Sequence, residues 1–186
     1  MQGGVLILDF GSQVTQLIAR RLREFNVYSE LHPYNFPLEE IKKREPGAIV
    51  LSGGPLSVND KSSPKRDIQE LLEIAPVMGI CYGMQMIAQQ YGGIVEKAKV
   101  REYGKKKVHW EQTLGSVPQD QNVWMSHGDV VQVPPPGFRV LAKSDENHPA
   151  VLEGDKLFAV QFHPEVSHTE FGGDILKYFV DRKSVV

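Results

Sequence analysis

The sequence predicts an α/β protein: a doubly wound, mostly parallel sheet with helices on both faces and added antiparallel strands. Three observations carry this expectation. Short, wholly apolar runs (Val5-Leu6-Ile7-Leu8, Gly47-Ala48-Ile49-Val50-Leu51 and Val77-Met78-Gly79-Ile80) read as strands buried on both faces of a parallel sheet. Segments with apolar residues at helical spacing lie between them. Up to Tyr91 the order is therefore β-α-β-α-β-α-β-α, the pattern of parallel strands joined by crossover helices. At 186 residues the chain fits one domain, 1–186, against a prior of about 100–200 residues per domain.

Val5 to Leu8 opens the sheet. Ser12 is the expected N-cap of a helix whose apolar stripe is Val14, Leu17, Ile18, Leu22 and Phe25. Val27 to Leu31 is a second strand, and Pro37 stands at the first position of a short helix, Leu38 to Arg44. The third strand, Gly47 to Leu51, runs into Ser52-Gly53-Gly54-Pro55, which cannot continue it. Ser63-Pro64 is expected to cap a helix with Ile68, Leu71 and Leu72 inward. The strand Val77 to Ile80 follows, then a helix carrying Met84, Ile87, Ala88 and Tyr91.

After Gly92-Gly93 the character changes. Ile94 to Glu96, Lys107 to Trp110, Phe138 to Ala142 and Ala150 to Glu153 are short, turn-separated pieces that read as antiparallel additions. Leu157 to Phe162 is a stronger strand, and a last helix from about Phe171 to Arg182 places Ile175, Leu176 and Phe179 on one face. Lys105-Lys106-Lys107 reads as a solvated turn, and Pro134-Pro135-Pro136 as a stiffened surface loop.

A formal net charge of −2 gives no reason to expect nucleic-acid or membrane binding. The single cysteine rules out an internal disulfide and suits a reducing cytoplasm. No basic-then-apolar leader opens the chain, and no apolar run approaches the ~18 residues of a membrane span.

That cysteine, Cys81, falls on the turn between a strand and a helix, in the pattern Gly79-Ile80-Cys81-Tyr82-Gly83. A free cysteine is more often structural. Here small residues two before and two after it match a nucleophile elbow with sulfur as the nucleophile. The helix N-terminus favours a thiolate. A thiolate nucleophile needs a base and a group to orient it. Of six histidines, His32, His109 and His148 have no distinctive partner in sequence. His163 follows the strongest late strand in Gln161-Phe162-His163-Pro164-Glu165, and residues two apart in extended chain share a side, so Glu165 can orient it. The backbone N–H of Tyr82 is one natural oxyanion donor; Gly54 or Gly53 must supply the second, because Pro55 has none. No ligand pair has zinc-like spacing, and neither phosphate-binding glycine signature occurs, so no metal and no ATP are expected on this chain.

These motifs together resemble the class I, triad-type glutamine amidotransferases. Asp9-Phe10-Gly11-Ser12-Gln13, Leu51 to Pro55, Arg101-Glu102-Tyr103-Gly104, Trp124 to Asp129 and Val166-Ser167-His168-Thr169 narrow the resemblance to the glutaminase domains of the GMP synthetase branch. The resemblance implies Cys81 as nucleophile, His163 as general base and acid, Glu165 as orienting carboxylate, and Gly54 and Tyr82 as the oxyanion hole. It further implies that Gln85 and the Ser126-His127-Gly128-Asp129 loop hold glutamine. Without it, that segment reads as an ordinary turn. It implies a partner too: an ATP-dependent synthetase domain or subunit that takes ammonia to XMP, with ATP and Mg²⁺ there and no cofactor here. The sequence ending at Asp181 to Val186, near where that domain follows in two-domain members, suggests an excised domain, with a free-standing glutaminase the alternative. Arg101 to Gly104 and Lys105 to Lys107 are candidate docking residues. Two rival readings stay open: another Cys-dependent amide hydrolase, such as a γ-glutamyl hydrolase, and a silent regulatory module.

Overall fold

The computed structural model describes residues 2–183; the last of the terminal residues expected to border a following domain, Ser184 to Val186, lie outside the described residues. Nine strands form one sheet in the order β2-β1-β3-β4-β9-β8-β7-β5-β6. The strands β1 (Val5–Asp9), β2 (Ser29–Pro33), β3 (Ala48–Leu51), β4 (Val77–Ile80) and β9 (Leu157–Val160) are parallel to one another. Antiparallel pairings then add β8 (Pro149–Gly154), β7 (Arg139–Ser144), β5 (Ile94–Trp110) and β6 (Asp120–Val133).

The apolar runs form strands because each faces two cores. Val5, Ile7, Val50, Met78 and Ile80 point to one side, against Ile18 and Leu22 of α1 (Thr15–Glu24) and Ile175, Leu176 and Phe179 of α5 (Gly172–Lys183). Leu6, Leu8, Ile49, Leu51 and Val77 point to the other. There they meet Ile41 of α2 (Leu38–Arg44), Ile68 and Leu71 of α3 (Ile68–Leu72), and Met84, Met86 and Ile87 of α4 (Tyr82–Gln90). Period-two alternation between two apolar layers explains why these strands carry no polar face.

Several expected boundaries shift. The helix α1 starts at Thr15: Ser12 Oγ accepts from Val14 N–H at 3.2 Å in a local turn, and Thr15 Oγ1 donates to Asp9 at 2.9 Å. Ser63 does not cap α3. Its hydroxyl donates to the Ser57 carbonyl, and the N-cap is Asp67, whose carboxylate accepts from Gln69 and Glu70 N–H. The second strand begins two residues after the expected start, at Ser29.

The larger corrections lie in the second half. The pieces 94–96 and 107–110 are the ends of one 17-residue strand, β5, so Lys105 to Lys107 lie within a strand, not in a turn. Residues 120–133 form β6, a strand that the apolar pattern does not announce. Gln121, Val123, Met125 and His127 alternate inward along it. A histidine and a glutamine at inward positions mask the apolar alternation that marks a strand.

Candidate active site

The parallel strands β1, β3, β4 and β9 end on the same edge of the sheet, where open α/β folds place their sites. Their ends lead into Phe10, into Ser52 to Gly54, into Cys81 and, three residues beyond β9, into His163.

Cys81 adopts φ 52° and ψ −104°, a conformation that costs a non-glycine residue on the order of 1–3 kcal/mol. Packing holds it there. Its N–H donates to the Val160 carbonyl at 2.8 Å, and its carbonyl accepts from Gln85 N–H as α4 begins. The flanking glycines are sterically required. A Cβ on Gly79 would lie 2.5 Å from the Gly83 carbonyl carbon, and one on Gly83 would lie 2.7 Å from the Leu51 oxygen.

His163 is 6% exposed, and its Nδ1 lies 2.7 Å from Glu165 Oε1. The loop carrying both residues is tied down at three points. His163 N–H donates to the Trp124 carbonyl at 3.0 Å. Thr169 Oγ1 donates to the His163 carbonyl at 2.6 Å while accepting from Trp124 N–H. Arg21 Nε donates to the Glu165 carbonyl at 3.1 Å. The chain makes room for the imidazole at Gly53, where a Cβ would sit 2.9 Å from His163 Cε1.

Burial by itself pushes the His163 imidazole down; hydrogen bonds to Cys81 and Glu165, and their negative charges, outweigh it and raise the group to about 10. A folded-state value above the usual 6.5 means that the folded chain binds this proton more tightly than the unfolded one. The stability it contributes is complete below pH 6.5 and is lost as pH rises through about 10. Urea midpoints should fall across that window, and fall less in Cys81→Ala, which removes one of the raising hydrogen bonds. Equal slopes in the two chains would contradict this assignment.

Cys81 and His163 open into a cleft of about 680 Å³, bordered also by Gly54, Gln85 and residues 126–129. The Tyr82 N–H, in the first turn of α4, has no acceptor within its own helix. Gly54 is pressed onto the chain just after strand β1, where a Cβ would lie 2.6 Å from the Phe10 oxygen. Gln85, 3% exposed, donates from Nε2 to the Asp129 carbonyl at 2.9 Å and to Gln161 Oε1 at 3.2 Å. The Ser126 carbonyl lies 3.8 Å from Cys81 Sγ, and Asp129 accepts a hydrogen bond from Ser57 Oγ. Residues 126–129 are thus the central part of β6, not the turn that their composition suggests.

The family model "Glutamine amidotransferase class-I" matches residues 6–183. The chain belongs to the class-I glutamine amidotransferase family. It is 57% identical over 176 residues to a GMP synthase [glutamine-hydrolyzing] of Bdellovibrio bacteriovorus, covering 95% of this chain and 35% of that protein. It is 52% identical over 182 residues to the Bacillus subtilis protein of the same name, with the same coverage. The chain therefore spans about a third of the length of these curated relatives. Among solved structures, a candidate GMP synthase subunit from Thermoplasma acidophilum superposes with TM-score 0.80 at 30% identity, covering 97% of this chain and 94% of that one. A Thermotoga maritima glutamine amidotransferase superposes with TM-score 0.74 at 25% identity, covering 89% and 77%.

On this amidotransferase scaffold, Cys81, His163, Glu165, Gly54, Tyr82, Gln85 and Ser126 to Asp129 gather at one edge of the sheet. One of them is oriented unexpectedly. The His127 side chain is 2% exposed and turns into the protein, towards Met125 and Glu102. Glu102 is buried as well, so it is not available as a docking residue. The histidines without an evident partner in sequence have acidic ones in space: His32 lies 2.8 Å from Glu30, His109 2.7 Å from Asp120, and His148 3.6 Å from Glu102. Sequence reasoning also missed Ser57, Gln161, Thr169 and Arg21, each of which acts on the site through a contact with a residue distant in sequence. Among the described residues no cluster of histidine, cysteine and carboxylates could hold a metal, and no helix is long and apolar enough to cross a membrane.

Proposed function

We propose that this chain is the glutaminase portion of a glutamine-hydrolysing GMP synthase. The observation that carries the reading is the strained Cys81 elbow sharing a cleft with the His163–Glu165 pair. The Cys81 thiolate attacks the side-chain amide carbon of glutamine. The backbone N–H groups of Gly54 and Tyr82 stabilise the tetrahedral oxyanion. The His163 imidazolium gives its proton to the leaving nitrogen, which departs as ammonia and leaves a γ-glutamyl thioester on sulfur. The neutral imidazole then takes a proton from water as it attacks the thioester carbonyl, and glutamate leaves. Glu165 holds the tautomer throughout. Gln85 and residues 126–129 hold the amino-acid end: backbone N–H groups supply donors for the carboxylate, and Gln85 Oε1 and Asp129 supply acceptors for the ammonium.

The relatives' additional length accommodates a synthetase portion, where ATP, Mg²⁺ and XMP bind and ammonia is consumed. The reading places the protein in the cytoplasm. It is tested by supplying the chain with that synthetase portion and following ammonia, glutamate and GMP. Ammonia and glutamate in equal amounts are expected, with GMP formation dependent on XMP and ATP. Gln85→Ala should raise KM for glutamine by about tenfold, the loss of one or two hydrogen bonds. Hydrolysis of γ-glutamyl peptides in preference to glutamine, indifferent to Gln85→Ala, would favour a γ-glutamyl hydrolase instead.

A further inference from the structure

Behind the cleft-facing strand β6 lies a second carboxylate–imidazole pair. Glu102 on β5 and His127 on β6 are register partners, with side chains 1% and 2% exposed and Glu102 Oε2 3.3 Å from His127 Nε2. His148, in the turn between β7 and β8, approaches the same oxygen at 3.6 Å. Neither Glu102 oxygen has a well-aligned hydrogen bond, so a buried charge is balanced chiefly by neighbouring imidazoles. Isolated, such a carboxylate would cost several kcal/mol. Burial pushes Glu102 up, yet its contacts with His127 and Ser144 and the charges of His127 and His148 hold it below the usual range.

The other face of the His127 ring meets the cleft wall. Its Nδ1 lies 2.7 Å from the Asp129 carbonyl oxygen, the same oxygen that accepts from Gln85 Nε2. A carbonyl can only accept, so Nδ1 must carry the proton. An imidazole free to choose could hold its proton on Nε2 and leave two acceptors facing each other at Asp129. With the Glu102 carboxylate at Nε2 and the Asp129 carbonyl at Nδ1, the ring is held between two acceptors, which fixes its plane and keeps Nδ1 aimed at the carbonyl. The ladder is interrupted at this point. The pairing of β5 with β6 passes from Lys97↔Asp129 directly to Glu102↔His127, leaving residues 98–101 as a bulge opposite Gly128.

We propose that Glu102 is a positioning residue for substrate binding, acting through the His127 ring to hold the Asp129 backbone and, with it, Gln85 at the wall of the cleft. The inference rests on the glutaminase reading. The chain thus uses the carboxylate–imidazole device twice: Glu165 aims His163 at the reacting atoms, and Glu102 aims His127 at the wall that holds the rest of the substrate.

Inactivation by the diazoketone analogue of glutamine tests this, because its half-saturating concentration reads binding and its limiting rate reads reaction at Cys81. Glu102→Met keeps the volume and removes the charge; Glu102→Gln can still donate to Nε2 and leave the proton on Nδ1. The Met variant should need about tenfold more analogue for half-saturation, the loss of roughly one charge-assisted bond. Its limiting rate should stay near that of the parent, and the Gln variant should restore most of the affinity. Equal shifts in the two variants would mean a packing role, and an unchanged half-saturation in Met would mean none; each overturns the proposal. A parent chain that does not saturate with the analogue overturns the glutaminase reading instead. A second measurement needs no variant. Nitrogen chemical shifts of ¹⁵N-histidine chain at neutral pH should show His127 protonated at Nδ1, and a ring protonated at Nε2 alone overturns the proposal even if Glu102→Met fails to fold.

Discussion

Cys81→Ala should lower glutamine hydrolysis by at least about 10⁴-fold, as removal of a nucleophile does in comparable triads. The size of the effect follows from the site's construction. The elbow holds one sulfur in a strained conformation at the cleft, and the chain holds no second thiol to replace it. The substitution should leave the fold intact. The Cβ that packs near Gly53 is retained, and the backbone bonds to Val160 and Gln85 do not involve sulfur. A cooperative thermal transition beside a loss of this size separates chemistry from folding. Residual activity within tenfold of the parent would remove Cys81 from the mechanism. It would leave a silent or differently equipped site.

The second large effect is expected at Glu165. Its carboxylate is 1% exposed, bonds His163 Nδ1 at 2.7 Å, and contributes a hydrogen bond and a charge to the raised imidazole. In Glu165→Gln the bond's geometry survives, but the charge is lost and the amide can impose the wrong tautomer. A loss of about 10²–10⁴-fold in kcat is expected, bounded above by the loss that the corresponding change produces in a serine triad. The sign of the pH effect is fixed too. With one raising influence removed, the imidazolium gives up its proton at lower pH, so the alkaline limb of kcat must move down in pH. An alkaline limb that stays put would mean that Glu165 only packs against the ring. The Arg21 bond to the Glu165 carbonyl is untouched by either side chain, so the loop should stay anchored.

The parallel half of the fold was legible because burial on two faces writes itself as continuous apolar sequence. Val5 to Leu8, Ile49 to Leu51 and Val77 to Ile80 need no partner to be read. The ribbon of β5 and β6 was not, because it alternates exposed and buried positions and fills some buried ones with His127, Glu102 and Gln121. Polar residues that satisfy one another across strands leave no apolar period behind. The reading of residues 126–129 as a turn failed for that reason. Helix starts slipped at Ser12 and Ser63 because each hydroxyl is engaged in a local or loop contact, while Asp67 caps α3.

The site divides in the same way. Cys81 with its glycines, and His163 with Glu165, are local patterns whose geometry is set within five residues. The long-range supports could not be read from spacing. Arg21 reaches Glu165, Ser57 reaches Asp129 and Gln161 reaches Gln85 only after the sheet has ordered its strands. The pairing of Glu102 with His127 depends on a bulge that shifts the register of β5 against β6. Such a shift changes which face every following residue takes, and nothing in the local sequence announces it.

The central claim, that Cys81 is the nucleophile attacking glutamine, is tested most directly by peptide mass spectrometry after saturation with the diazoketone analogue. One adduct per chain is expected, on Cys81, suppressed by glutamine and accompanied by complete loss of ammonia release. An adduct on any other residue, or ammonia release that persists in the fully labelled chain, would contradict it.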